Sequence, residues 1–285
     1  MRPFFRLCRS RDSGQTGWLR AMFRGVPGRC QPEGESELNK WRHFAQSLCS
    51  PVCQLCGGPG LSADICGGCY RDLPRAEAAC LRCAAALPRA VRDGALCGES
   101  QRRPPPWDAA VAAFRYGFPV DRLLQRLKYD GRLEHGRMLG LLLARTVRRR
   151  PRPDRIVPVP LHVERWRERG FNQALELARP VARALDVPLD AKSCRRRRST
   201  PPLWRLGPTE RRRLLEGVFE LRRCCRNLRI AIVDDVLTSG ATAAALALAL
   251  RASGAAQVEV WTVARSAGAR PRPAQRLRPQ TDADR

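Results

Sequence analysis

Residues 230–242 read Ile-Ala-Ile-Val-Asp-Asp-Val-Leu-Thr-Ser-Gly-Ala-Thr, a run whose residue types suit one joint piece of chemistry. Asp234 and Asp235 set two carboxylates side by side. Ionised carboxylates only accept hydrogen bonds, so the vicinal hydroxyls of a ribose are natural partners. Thr238, Ser239, Gly240, Ala241 and Thr242 follow as a small, hydroxyl-rich turn. Backbone N–H groups of a tight turn at a helix start point outward together and favour an anion. Gly240 permits close approach of a phosphate, and the hydroxyls of Thr238, Ser239 and Thr242 can donate to it. The local reading is a sugar-phosphate site. Its plainer alternative is a solvated Asp pair that caps the next helix.

A second set of reactive residues lies nearer the start. Eight cysteines fall between Cys49 and Cys97, arranged as Cys53-x2-Cys56, Cys66-x2-Cys69, Cys80-x2-Cys83 and Cys97. Paired thiolates across a tight turn, four to an ion, are the donor set of structural zinc. A redox role would need one such pair opening a helix rather than three in series. Used in order, Cys53, Cys56, Cys66 and Cys69 complete one site and leave Cys80, Cys83 and Cys97 a ligand short. Interleaved use completes Cys53, Cys56, Cys80 and Cys83 instead and leaves Cys66, Cys69 and Cys97 short. Short separations favour the sequential pairing. Ser100 stands where an eighth ligand would fall; water, Ser100, Cys49 or an acidic neighbour are the candidates to fill that place, and the alternative is that the second zinc is absent. No histidine or glutamate ligand is in view, so the expected role of the metal is scaffolding.

The elements that must position these groups are legible in part. Residues 230–233 predict a short buried strand with the acidic pair at its carboxyl end, and 243–252 predict a helix. Ligands of open α/β sheets sit in that crevice. Strands are expected over 109–116 and 155–159, and helices over 120–127, 139–147 and 172–184, the last kinked or shortened by Pro180. Arg165, Arg167, Arg169 and Gly170 read as a basic loop after a strand, suited to a second anion such as pyrophosphate. An ordinary basic loop is the alternative. Leu38–Leu48 has the spacing of a short helix, and Pro104–Pro106 makes a stiff break. The expected domains are a flexible or extension segment over 1–38, a cysteine module over 39–103, an α/β domain over 104–265 and a disordered tail over 266–285.

At 285 residues the chain can bury a real core. Its formal charge of +26 comes almost wholly from arginine, lysine appearing at positions 40, 128 and 192. The clusters Arg148–Arg150, Arg195–Arg198 and Arg211–Arg213 read equally as solvated faces or as contacts for a polyanion. No apolar run approaches the roughly 20 residues that span a bilayer. No signal-peptide core follows the basic first residues. A cytoplasmic protein is expected, whose thirteen cysteines are not structural disulfides.

The 230–242 string resembles the phosphoribosyl-pyrophosphate motif of type I phosphoribosyltransferases. More broadly, the chain resembles the ComF family through its Cys53–Cys97 array, Leu127-Lys-Tyr-x-Gly131, Val157-Pro-Val-Pro-Leu161, Arg169-Gly-Phe-Asn-Gln173 and the Asp234–Thr242 string. The resemblance implies an α/β fold with a mainly parallel sheet of the type I phosphoribosyltransferase kind, fronted by a small zinc-ribbon module. It implies phosphoribosyl pyrophosphate with Mg²⁺ as ligand and a part in natural transformation, with single-stranded DNA and DNA-uptake proteins as partners. Carried over by position, Asp234 and Asp235 would take the ribose and Thr238, Ser239, Gly240, Ala241 and Thr242 the 5′-phosphate. Arg165 and Arg169 would take the pyrophosphate, with Lys128 in the same charge cluster. The acceptor is not legible, and a non-enzymatic adaptor that binds single-stranded DNA is the alternative to a transferase. Ser100, Ala231, Leu203 and Leu214 depart from the family pattern.

Overall fold

The computed structural model describes residues 51–61, 63–88, 94–198 and 217–266, which belong to one compact unit. The expected helix over 38–48, Cys49, Leu203, Leu214 and Arg211–Arg213 lie outside the described residues, as do the segment 1–38 and the tail beyond 266.

In chain order the elements are α1 (Gly67–Arg71), α2 (Gly98–Arg102), β1 (Ala109–Arg115), α3 (Val120–Tyr129), α4 (Leu133–Val147) and β2 (Arg155–Pro158). Then come α5 (Val163–Arg169), α6 (Gln173–Leu185), β3 (Cys194–Arg196), β4 (Phe219–Leu221), β5 (Arg229–Leu237), α7 (Ala241–Ala252) and β6 (Gln257–Arg265). Four strands form a wholly parallel sheet in the order β1-β6-β5-β2, and β3 and β4 make a separate antiparallel pair. This is the mainly parallel α/β architecture expected.

Successive side chains of a strand point to opposite faces, and β5 uses both. Ala231 and Val233 join the apolar core under α3, α4 and α6, whereas Ile230 and Ile232 join the core under α7 and the β3–β4 pair. Helix α3 buries Val120, Leu123, Leu124 and Leu127, and α6 buries Ala174, Leu177, Ala178 and Val181. Both sets repeat at helical spacing.

Three expectations need correction. Strand β5 does not stop at Val233 but runs through the acidic pair to Leu237, because its partner β6 continues alongside, with Asp234 opposite Thr262. Pro180 does not shorten its helix, which continues to Leu185. Its ring packs where α4 presents Gly140, at which a Cβ would come within 2.5 Å of the Leu177 carbonyl oxygen. Finally, the residues read as a basic loop form the short helix α5, closed by Gly170 at φ +77°.

The cysteine-rich residues pack onto this body. Arg75 bridges Phe114 on the outer edge of β1, and the Arg115 and Ala110 N–H groups donate to the carbonyls of Pro74 and Leu81. An open sheet edge is thereby covered. Ala63, Ile65 and Leu73 enter the same core as α3 and α4, and Arg137 on α4 pairs with Asp64 at 3.0 Å.

Candidate functional site

Strand periodicity sends the two carboxylates to different neighbours. Asp235 shares the face of Val233, beneath α3, and its Oδ2 meets the Lys128 Nζ at 2.5 Å. Burial works to lower the Lys128 pKa, but the Asp235 charge outweighs it and raises the ammonium above its ordinary value. Asp234 lies half-buried on the other face, and its Oδ1 accepts from the Asp235 N–H at 2.9 Å. Desolvation first, and the Asp235 charge second, push its carboxyl up to about 8. The shift favours the protonated form of Asp234, which can donate as well as accept a hydrogen bond.

One arginine stands near Asp234, and a second stands near the first. Arg196, on β3, is half-buried, and burial and the nearby Arg165 lower its pKa while Asp234 opposes them. Arg165 projects from α5. Arg169 donates to the Gln173 Oε1 at 3.0 Å, and its guanidinium lies 5.6 Å from the centre of the Tyr129 ring, next in sequence to Lys128. Asn172 caps α6 by accepting from the Ala174 N–H and donates to the Val159 carbonyl, pinning this segment to the end of β2. The structure thus brings Lys128 to Asp235 and Arg196 near Asp234, with Arg165 near Arg196 and Arg169 set beside α3. Sequence reading missed Arg196. Its signal was its place in a strand within the Arg195–Arg198 run, where alternate residues face inward: Arg195 and Arg197 instead pair with Glu220.

Past Leu237, Thr238 and Ser239 are exposed and Gly240 turns at φ +76° into α7. Gly is required twice over there. The conformation is left-handed, and a Cβ would come within 2.9 Å of the Trp107 ring. The Ala244 N–H reaches the Gly240 carbonyl and the Ala241 N–H the Ser239 Oγ at 3.5 Å, so Thr242 and Ala243 belong to the first turn of α7, whose N–H groups lack intrahelical partners. The arrangement is two acidic groups followed at once by an anion-ready turn.

The cysteines gather in the sequential grouping. Cys53, Cys56, Cys66 and Cys69 have sulfurs within 4.8 Å of one another, as do Cys80, Cys83 and Cys97. Either set fits a metal ion. In the first, four soft donors converge, and the Cys53 thiol is brought down to about 6: burial opposes this, but backbone N–H groups of Cys56, Cys66 and Leu55 prevail. In the second, the buried Ser100 Oγ lies 3.5 Å from the Cys80 sulfur and 3.4 Å from that of Cys97. It sits in the fourth position.

The two sets are copies of one motif, which the sequence reading did not detect. Cys66 caps α1 by accepting from the Cys69 N–H, and Cys97 caps α2 by accepting from the Ser100 N–H. Val52 bridges Pro59 as Ala79 bridges Ala86. Gly57 at φ 75° matches Ala84 at φ 54°. Ser100 is thereby the structural counterpart of Cys69.

Parallel topology, an acidic pair within β5 and the glycine turn after it define an α/β protein with a mainly parallel sheet, fronted by a duplicated cysteine ribbon. No family model matches the chain. It is 36% identical over 223 residues to DNA utilization protein YhgH of Salmonella typhi, covering 75% of this chain and 97% of the relative. It is 32% identical over 212 residues to competence protein F of Haemophilus influenzae, covering 71% and 90%. Among solved structures, a purine phosphoribosyltransferase from Pyrococcus horikoshii is similar at 17% identity and a TM-score of 0.29, over 47% of this chain and 88% of the other. The chain belongs to the ComF family, with YhgH and competence protein F.

Proposed function

We propose that the chain binds phosphoribosyl pyrophosphate with Mg²⁺ at the carboxyl end of β5, as a phosphoribosyltransferase-domain protein serving DNA uptake or utilization in the cytoplasm. The observation that carries this reading is the acidic pair just ahead of the Gly240 turn, with Lys128 paired to Asp235 and Arg196 near Asp234. Asp234 and Asp235 receive the ribose hydroxyls, and the 238–242 turn receives the 5′-phosphate. Arg165, Arg169, Arg196 and Lys128 offer positive charge to the pyrophosphate. In a transfer, the bond from the ribose to pyrophosphate breaks and an acceptor takes its place, so the chain's contribution is positioning and electrostatics. Magnesium, when bound, supplies charge neutralisation on the pyrophosphate. The DNA-related role rests on the names of the relatives.

The cysteine sets are assigned to structural zinc, on their soft donors and mutual distances. No helix among the described residues is long and apolar enough to cross a membrane.

Calorimetric titration of phosphoribosyl pyrophosphate with Mg²⁺ tests the site. Micromolar binding (about −8 kcal/mol) that disappears in Asp234→Asn/Asp235→Asn is expected; equal binding by that variant removes the ribose assignment. A second reading is favoured by exposed Trp166, which shares a cavity of about 590 Å³ with Arg195, Arg197 and Arg222. Aromatic and arginine faces together suit a single strand of DNA, through stacking and phosphate contacts. Affinity that falls steeply with salt and weakens in Trp166→Ala supports it.

A further inference from the structure

The two cysteine sets face different parts of the molecule, and the incomplete one faces the phosphate turn. Two side chains join them. The Arg265 Nε donates to the Cys83 carbonyl at 2.9 Å, and its Nη1 donates to the carbonyls of Leu237 at 2.7 Å and Thr238 at 2.5 Å. The Trp107 Nε1 donates to the Arg82 carbonyl at 2.5 Å, and the Arg82 guanidinium donates back to the Trp107 carbonyl at 2.8 Å. The far edge of that indole is the surface against which Gly240 turns. Residues 82 and 83 belong to the Cys80–Cys83 knuckle. Each therefore orients one of the two groups that fix residues 237–240. Cys83, Cys97, Ser100, Ser239, Gly240 and Arg265 line one cavity of about 1220 Å³.

A knuckle of this size has little core of its own, so a bound metal is what fixes its carbonyl directions. At this set the donors are three cysteines and the Ser100 hydroxyl, a poorer ligand for zinc than a fourth thiolate. The second site should thus release metal before the first. We propose that metal at Cys80, Cys83, Cys97 and Ser100 controls the order of the 237–242 turn through Arg265 and Trp107, and so tunes anion binding there. The effect on phosphoribosyl pyrophosphate rests on the ligand reading above; the effect on the turn does not. Coupling of this kind is reciprocal, so ligand at the turn should tighten the second metal by the factor that the metal tightens the ligand.

The test uses the full chain loaded with zinc, graded removal by a chelator, and hydrogen exchange of the 237–242 amides beside a metal assay. Two zinc equivalents are expected, one leaving first, with exchange of 237–242 rising about tenfold at that step while helix α4 stays protected. Ser100→Cys should keep both equivalents, and a protected turn, at the same chelator concentration. Arg265→Gln should show fast exchange in the turn with both metals bound, and Trp107→Phe should show a smaller rise from losing only the indole donor. Uptake of a single equivalent by the wild type overturns the proposal, as does exchange of the turn that ignores loss of the second metal. Titration of phosphoribosyl pyrophosphate into the one- and two-zinc forms separates the two readings. Binding about tenfold weaker in the one-zinc form supports the full coupling. If neither form binds while exchange still responds, the ligand reading falls and control of the turn stands.

Discussion

The two halves of the cysteine ribbon share a backbone plan and differ in what they lean on. The first, with four thiolates, sits over α3 and α4 and sends Ala63, Ile65 and Leu73 into the larger core. The second, with three cysteines and a hydroxyl, contributes Ala84 to the other core, accepts from Ala110 of β1 through the Leu81 carbonyl, and is linked to the turn after β5 by way of Arg265 and Trp107. The difference teaches that a duplicated metal module can divide its labour. One copy stands where a metal on its four cysteines would reinforce apolar burial, so that the loss of either would loosen the fold. The other is held by polar contacts that fix direction more than they bury area, which suits influence on a neighbouring site.

The largest expected effect comes from imposing the second set's ligands on the first. Cys69→Ser turns four thiolates into three and a hydroxyl beside Ile65 and Leu73, and should cost about 3–5 kcal/mol, comparable to a large truncation in a core. Thermal unfolding together with zinc content checks it. The same change at the weaker copy, Cys97→Ser, should lower the midpoint far less while unsettling 237–242. Equal losses of stability would erase the contrast. Next in size is Gly240→Ala. It places a methyl group against the Trp107 ring in a left-handed turn, and should cost about 2–3 kcal/mol in stability and weaken anion binding as well. A variant as stable as the wild type would mean that Trp107 does not hold the turn.

How much of this could be read from the chain depends on whether the information was local. The Asp234–Thr242 string and the parallel strand ahead of it were legible because residue type, order and spacing lie within one short segment. The sequential thiolate grouping was favoured for the same reason. What stayed hidden is non-local. The acidic pair lies inside β5 because β6 runs beside it, and Pro180 is tolerated because Gly140 lies across from it on another helix. The duplication was masked because its marks are conformational: Ala84 repeats the turn of Gly57, and Ser100 repeats the place of Cys69, without repeating the residue. Arg265 and Trp107 carry no motif at all. Their role exists only once residues far apart in sequence share a neighbourhood.

A change outside both ribbons provides a reference. Asp234 carries a carboxyl raised to about 8 from its ordinary value of 3.8, so between those values the folded chain binds more protons than the unfolded one. Its contribution to stability is then fully present below about pH 4 and lost as pH rises through about 8. Asp234→Asn should flatten that part of the stability–pH curve, measured by denaturant unfolding, while leaving zinc content at two equivalents. An unchanged slope would place the proton elsewhere, and a change in zinc content would show that the acidic pair and the ribbon are not independent.

The smallest effect tests whether the copies share a turn or merely resemble one another. Gly57 and Ala84 occupy matching left-handed positions, but Ala84 bears a side chain there and is buried, whereas a Cβ at Gly57 would meet nothing within 4 Å. An alanine in this conformation costs about 1–2 kcal/mol, and the loss of unfolded-state freedom relative to glycine returns part of it. Gly57→Ala should therefore lower stability by about 1 kcal/mol or less, with both metals retained, since it makes the first turn chemically equal to the second. A much larger loss would mean that the second copy tolerates Ala84 only because its surroundings, Trp107 and the β3–β4 pair among them, compensate for the strain.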